Sequence, residues 1–410
     1  MSAISKSSWK LFRAPWVIPV TAPVIQDGAV VVDGRRIIAV ASYAELSSRF
    51  PELQPTPCPG VLLPALVNCH IHLDLSIYGT ISADPGNSTM CDWIRALLKK
   101  RQQSEYSDDE LRAAAEKTAK DQYAAGVGLL LDIGNITIGK LDSCPLEIQS
   151  LFEMLGPSRA AEQAAIERIA TFSPDLPVTG HAPYSTSPEL LRYIKKRCNE
   201  QGGLFSLHLA ENLDEALLLA KNDGCFPQFL KERGGLDGTF PIPGIDSRGV
   251  VGYLETLGIF DEKTICVHGV HLSVADMEII AGTGAHICLC PGSNKFLGVG
   301  RAPLEQFLAH DILPALGTDS IASNPVLDMW QEMALLREEY PAVSPETVLA
   351  MATHGGAKAM GKNSDYGSLE KGCKGHFLQL QGKQYIEAEN ADQLLDLLTS
   401  SGRPESIVWL

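Results

Sequence analysis

His70 and His72 flank a single residue in the run Asn68-Cys69-His70-Ile71-His72-Leu73-Asp74. Residues two apart on a strand point to the same side, so both imidazoles could aim at one point. An H-x-H pair alone is a weak signal. Other polar side chains follow apolar runs in the same way: His208 in Leu207-His208-Leu209-Ala210-Glu211, His268 in Val267-His268-Gly269-Val270-His271, and Asp319 in Gly317-Thr318-Asp319-Ser320. Imidazoles with a carboxylate suit a borderline divalent ion such as zinc. Three His nitrogens and one Asp oxygen leave a position for water, whose pKa the ion lowers toward about 7. The chemistry expected is hydrolytic attack on an electrophilic carbon.

Such a cluster needs elements that bring distant segments together. Eight apolar, strand-like runs occur at 60–68, 127–133, 146–154, 177–181, 204–209, 264–267, 285–290 and 313–316. Helical patterns lie between most of them, as at 108–125, 187–200, 273–282 and 303–310. Ser344 and Pro345 read as N-cap and first position of a later helix. Alternating β and α with buried strands predicts an α/β fold, a (β/α)8 TIM barrel, with its chemistry at the C-terminal strand ends. Both ends of the chain differ from this middle. Short β-rich runs at 16–20, 29–32 and 36–40 are separated by Asp27-Gly28 and Asp33-Gly34, read as turns, and β texture returns at 375–380 and 406–410. The division expected is a discontinuous β-sandwich domain, 1–60 and 367–410, around a catalytic barrel, 61–366.

Composition is that of an ordinary globular chain, with 410 residues, 45% hydrophobic and 20% charged. A net charge of −15 argues against nucleic acid or anionic membrane as a partner. No apolar run reaches the roughly 18 residues of a membrane span, and the first 16 residues lack the apolar core of a secretory signal. Ten scattered cysteines without a C-x-x-C pair suggest reduced thiols in a cytoplasmic protein.

The chain resembles the amidohydrolase superfamily, in the branch of deaminases and chlorohydrolases acting on heteroaromatic rings. The resemblance rests on Pro64 to Asp74, His181-Ala182-Pro183-Tyr184-Ser185, His208-Leu209-Ala210-Glu211, Val267 to Leu272, Pro291-Gly292-Ser293-Asn294 and Gly317 to Asn324. It implies that His70, His72, His208 and Asp319 bind the metal. It also implies that Glu211 shuttles protons to and from a ring nitrogen, and that His268 orients the attacking water with help from Asp319. Two-metal members carry a modified lysine at the end of strand four. Here that strand ends in His181, so a single divalent ion is expected, Zn2+ first and Fe2+ second.

His181 is expected to face the substrate. Asp74 and Trp93 lie where the first loop would cover the site, Asp74 reading equally as a sugar contact or as a support for a metal ligand. Ser293 and Asn294 are read as loop structure, and His286, His310, His354 and His376 as structural. Within the branch the chain resembles the aminofutalosine deaminases, which tend to read H-x-H-L-E-L-S where this chain has His70-Ile71-His72-Leu73-Asp74-Leu75-Ser76. The implied substrate is a small adenine-bearing nucleoside, aminofutalosine of menaquinone biosynthesis first. S-adenosylhomocysteine or methylthioadenosine comes second, and chlorohydrolase or guanine-type activity third. A metal-binding barrel without catalysis is the non-enzyme alternative. Dimers are common among such proteins, so a homodimer is a further expectation.

Overall fold

The computed structural model describes residues 9–82, 89–136, 141, 144–235 and 249–410. Strands β1 (Lys10–Val17), β2 (Ile25–Val32), β3 (Ile37–Ser42), β4 (Pro55–Pro57) and β5 (Val61–Leu63) open the chain, and β14 (Leu378–Gln381) and β15 (Ser406–Trp409) close it. They join in one seven-stranded sheet, ordered β15-β14-β5-β1-β2-β3, with β4 beside β1. Two expectations change here. Asp27-Gly28 is not a turn. It lies inside β2 opposite Ala14-Pro15, where Pro15 has no N–H to pair and Asp27 takes a φ of 46°. Residues 60–68 are not one strand either: Val61–Leu63 pairs with β1 and β14, and Pro64 breaks the run before the next strand.

Between these ends lie β6 (Leu66–Ile71), β7 (Val127–Gly134), β8 (Glu147–Met154), β9 (Val178–Gly180), β10 (Phe205–Leu209), β11 (Thr264–His268), β12 (His286–Leu289) and β13 (Ala315–Leu316). They form two four-stranded parallel sheets, β6-β7-β8-β9 and β10-β11-β12-β13. Backbone hydrogen bonds bridge both seams. The His208 N–H donates to the His181 carbonyl at 2.9 Å, and the Thr318 and Asp319 N–H groups donate to the His70 carbonyl at 3.0 Å. Alternate strand residues divide between two cores: Val67, Leu129, Leu131, Val267 and Cys288 pack together, while Leu66, Leu130, Leu207, Cys266 and Ile287 pack with the helices. Burial on both faces explains why most of these strands read as unbroken apolar runs; β8, half-buried along most of its length, carries a mixed pattern instead.

Helices follow the expected positions closely. Asp108–Ala124, Pro188–Gln201 and Val274–Thr283 start at Ser107, Ser187 and Ser273, each accepting an N–H three residues on. Ser344 caps Pro345–Ala350 in the same way, with Pro345 in the first turn. Among the described residues no helix is long and apolar enough to cross a membrane. The cysteine expectation is corrected. Cys91 and Cys225, 134 residues apart, form a disulfide, while the eight other cysteines are free and buried. The partners meet only through the fold, which is why spacing gave no sign of them. A disulfide is uncommon in a reducing compartment, so cysteine usage does not support a cytoplasmic place.

Candidate active site

The C-terminal ends of the parallel strands carry the predicted cluster. His70 is the next-to-last residue of β6 with His72 just beyond the strand, His208 stands on β10, and Asp319 follows β13. All four are buried, His70 completely. One ligand atom from each lies within 4.8 Å of the other three. His72 Nε2 is 3.4 Å from His208 Nε2, and Asp319 Oδ1 is 3.5 Å from His72 Nε2 and 3.7 Å from His70 Nε2. A tetrahedral ion with bonds of about 2.0–2.1 Å needs donor-to-donor edges of about 3.3–3.4 Å. Both ring nitrogens of His70 are buried without a hydrogen-bond partner. Burial pushes His70 down to about 4 and lowers His72 and His208, so all three rings are neutral and offer lone pairs. Burial works to raise Asp319, but its close approach to the imidazoles of His70, His72 and His268 outweighs this and keeps its carboxyl well below the usual range. Donor set, spacing and orphaned atoms therefore fit one divalent cation.

Hydrogen bonds behind the cluster aim these donors. His208 Nδ1 donates to the His181 carbonyl at 2.9 Å, leaving Nε2 toward the centre. Asp319 Oδ2 accepts from Ser293 Oγ at 2.6 Å and Ser323 Oγ at 2.7 Å, leaving Oδ1 for the histidines. A Cβ on Gly317 would stand 2.8–2.9 Å from His70 atoms, so only glycine lets β13 approach His70 this closely. Ala210, His268 and Asp319 hold positive φ values of 50°, 74° and 58°. Non-glycine residues there carry strain of about 1–3 kcal/mol each. Glu215 helps hold the first of these turns by accepting the Ala210 N–H at 3.0 Å. The turn presents Glu211.

Glu211 and His268 meet beside the cluster, with Glu211 Oε1 3.6 Å from His268 Nε2. Burial pushes the Glu211 carboxyl up to about 7. His268 Nδ1 donates to Asn294 Oδ1 at 2.9 Å, and its Nε2 has no partner. Ser293 and Asn294 are not loop residues: they lie in the helix Pro291–Leu297 and orient Asp319 and His268. Their place directly after strand seven was the signal for this. His181, Asp74 and Trp93 all line the same cavity, of about 410 Å³, as do His72, His208, Glu211 and Asp319. His181 Nδ1 bonds Ser185 Oγ at 2.7 Å, and Trp93 Nε1 donates to the Ile81 carbonyl at 2.9 Å, fixing each ring at the wall. Glu153, not singled out from sequence, lines it too, and burial pushes its carboxyl up to about 8. Of the lysines near strand four, Lys195 is turned away from the site and pairs with Asp261 and Thr264 at 2.7 and 2.9 Å.

Similarity to known proteins agrees with this geometry. A 5-methylthioadenosine/S-adenosylhomocysteine deaminase of Pyrococcus abyssi is 26% identical over 73% of this chain and 69% of its own. An aminodeoxyfutalosine deaminase of Deinococcus radiodurans is 27% identical over 83% and 82%. The crystal structure of Helicobacter pylori aminofutalosine deaminase with methylthio-coformycin superposes with a TM-score of 0.79, at 22% identity over 97% of this chain and 98% of that one. Residues 28–52 match the imidazolonepropionase-like composite domain of bacteria. Residues 61–398, most of the chain, match the Amidohydrolase family model, and the chain belongs to the amidohydrolase family.

Proposed function

We propose that this amidohydrolase is a metal-dependent hydrolytic deaminase that converts the 6-amino group of an adenine-bearing nucleoside to 6-oxo and releases ammonia. The observation that carries the reading is the cavity floor, where Glu211, poised at about 7, stands beside His268 and the four-residue cluster. His70, His72, His208 and Asp319 would hold one ion, zinc first and Fe2+ second. The absence of a lysine at the end of β9 supports a single ion. When bound, the ion supplies Lewis acidity and an activated water.

The rest of the chemistry belongs to the chain. Protonated Glu211 gives its proton to the ring nitrogen next to the amino-bearing carbon, making that carbon electrophilic. A group near 7 populates both protonation states at neutral pH, as a shuttle requires. His268, its Nδ1 engaged by Asn294, offers Nε2 to the attacking water's proton, assisted by Asp319. The water oxygen bonds to the ring carbon, the C–N bond breaks, and ammonia leaves after a proton returns to nitrogen. His181 and Trp93 hold the ring in the cavity.

Aminofutalosine is the first substrate, supported by the relative from Deinococcus radiodurans. S-adenosylhomocysteine or methylthioadenosine is the second, supported by the relative from Pyrococcus abyssi. The strands β6 to β13 form a closed (β/α)8 barrel, a reading supported by the bonds at both seams. A β-sandwich takes two packed sheets, whereas the terminal strands join in one, so we read the two ends as a small β-sheet domain, leaving 61–366 as the catalytic unit apart from the short strand β5. Metal analysis, ammonia release on aminofutalosine, S-adenosylhomocysteine, methylthioadenosine and guanine, and chloride release on a chlorotriazine test the reading. Loss of 6-amino absorbance with stoichiometric ammonia is expected for one of the first three. Tight zinc with no ammonia from any adenosine derivative would favour a binding protein instead.

A further inference from the structure

Glu153 stands one residue from the end of β8, in register with Thr179 of β9. Its carbonyl accepts Asn135 Nδ2 at 2.8 Å, which fixes the backbone there. Its side chain lines the cavity, and Oε1 is shut in without a hydrogen-bond partner. Asp74 lines the same cavity at 7% exposure, and its Oδ1 likewise has no partner. Asn135 connects the two, since its N–H reaches Asp74 Oδ2 at 3.4 Å. Room for Asp74 is built into β7, because a Cβ on Gly134 would stand 2.8 Å from Oδ1. Asp132 differs: the Leu73 N–H and Ser150 Oγ satisfy it at 3.0 and 3.2 Å, so it ties down the first loop.

Glu153 also lies within 4.8 Å of ring nitrogens of His181 and His208, a grouping that could suggest a second cation. The hydrogen bonds argue otherwise. His208 gives Nδ1 to the His181 carbonyl and turns Nε2 toward His72, while His181 Nδ1 is taken by Ser185. Glu153 and one ring nitrogen are too few to hold an ion. Arg101 lowers both carboxyls through its field, yet among the described residues no ion pair joins it to either. Much of the remaining wall is apolar, including Met90, Ile94, Leu97, Leu98, Phe229 and Leu230. A buried acceptor left unsatisfied is destabilising, and that cost is recovered when a donor arrives. A sugar is the part of a nucleoside that brings two adjacent hydroxyl donors.

We propose that Glu153 acts with Asp74 as a diol-binding pair, each carboxyl accepting one of two vicinal hydroxyls of the substrate's sugar, so that Glu153 sets selectivity for ribonucleosides. The assignment rests on the nucleoside reading above. Sites built to bind a hydroxyl reject analogues lacking it far more strongly than apolar pockets reject a missing methylene.

The test compares kcat/KM for an accepted 5′-substituted adenosine with its 2′-deoxy and 3′-deoxy counterparts in wild type, Glu153→Ala and Glu153→Gln. Metal content and thermal unfolding are read alongside. Wild type is expected to favour the ribonucleoside by about 10²-fold or more. Glu153→Ala should shrink that preference at least tenfold, mainly through KM, with Glu153→Gln in between. If the alanine variant does not fold, the glutamine variant carries the comparison. Equal rates on ribo and deoxy substrates in wild type, or an undiminished preference in the variants, overturns the pair alone. Absence of turnover of every adenosine derivative by wild type overturns the nucleoside reading and the pair with it.

Discussion

His268 donates from Nδ1 to Oδ1 of Asn294 at 2.9 Å, and this bond sets which face of the imidazole meets the substrate. With Nδ1–H engaged, Nε2 carries the lone pair and stands 3.6 Å from Glu211 Oε1. Asn294→Ala frees the ring to adopt the other tautomer. Loss of such an orienting partner costs about 10–100-fold. The variant should bind the full metal complement while kcat falls by about that factor and KM changes little. Steady-state kinetics with metal analysis checks it; a kcat equal to wild type would remove Asn294 from the mechanism.

Cys91 and Cys225 tie together two parts of the cavity wall, Met90–Gln103 and Phe226–Glu232. Met90, Trp93, Phe229 and Leu230 from these helices line the cavity. Closing a loop of 134 residues stabilises by about 4–5 kcal/mol in the chain-entropy account. Replacing both cysteines by serine should lower Tm by several degrees and raise KM about three- to tenfold, with metal content intact. Serine replacement is preferred to a thiol reductant, which would compete for the metal. Unchanged Tm and KM would show that the bond has no part in shaping the wall.

Glu147 joins the start of β8 to the C-terminal segment, bonding Lys374 at 2.5 Å, Lys362 at 3.0 Å and the Tyr366 hydroxyl at 3.0 Å. Burial works to raise its carboxyl, but the two lysines outweigh it and hold it at about 2. An unfolded glutamate titrates near 4.3. Because the folded value is depressed, the stabilisation is complete above the unfolded value and disappears as pH falls through about 4 to 2. Allowing for solvent screening, it is on the order of 1–2 kcal/mol at neutral pH. Glu147→Gln should therefore lower Tm at pH 7 and converge with wild type toward pH 2.5 in thermal melts. A Tm difference independent of pH would contradict the assignment.

Much of this architecture was legible because parallel strands buried on both faces leave unbroken apolar runs, and all eight runs contain strands. The metal cluster was legible because alternation on a strand makes His70 and His72 neighbours in space as in sequence. What escaped depends on backbone conformation and distant contacts. The positive φ at His268 and Asp319 leaves no mark in residue type, since neither is glycine. Ser293 and Ser323 meet on Asp319 only once strands seven and eight lie side by side. Glu153 sat inside a strand of mixed pattern, where its direction toward the cavity could not be read. Val61–Leu63 was apolar like the strand after it, and only pairing with β14 separates the two.

The central claim is that Glu211 moves protons while the metal is held by others, and Glu211→Gln tests it most directly. The amide keeps the shape of the side chain but cannot take up and return a proton. On the substrate that wild type deaminates, the account predicts an unchanged metal stoichiometry with kcat lowered by about 10²–10⁴-fold. Normal turnover with full metal would contradict it.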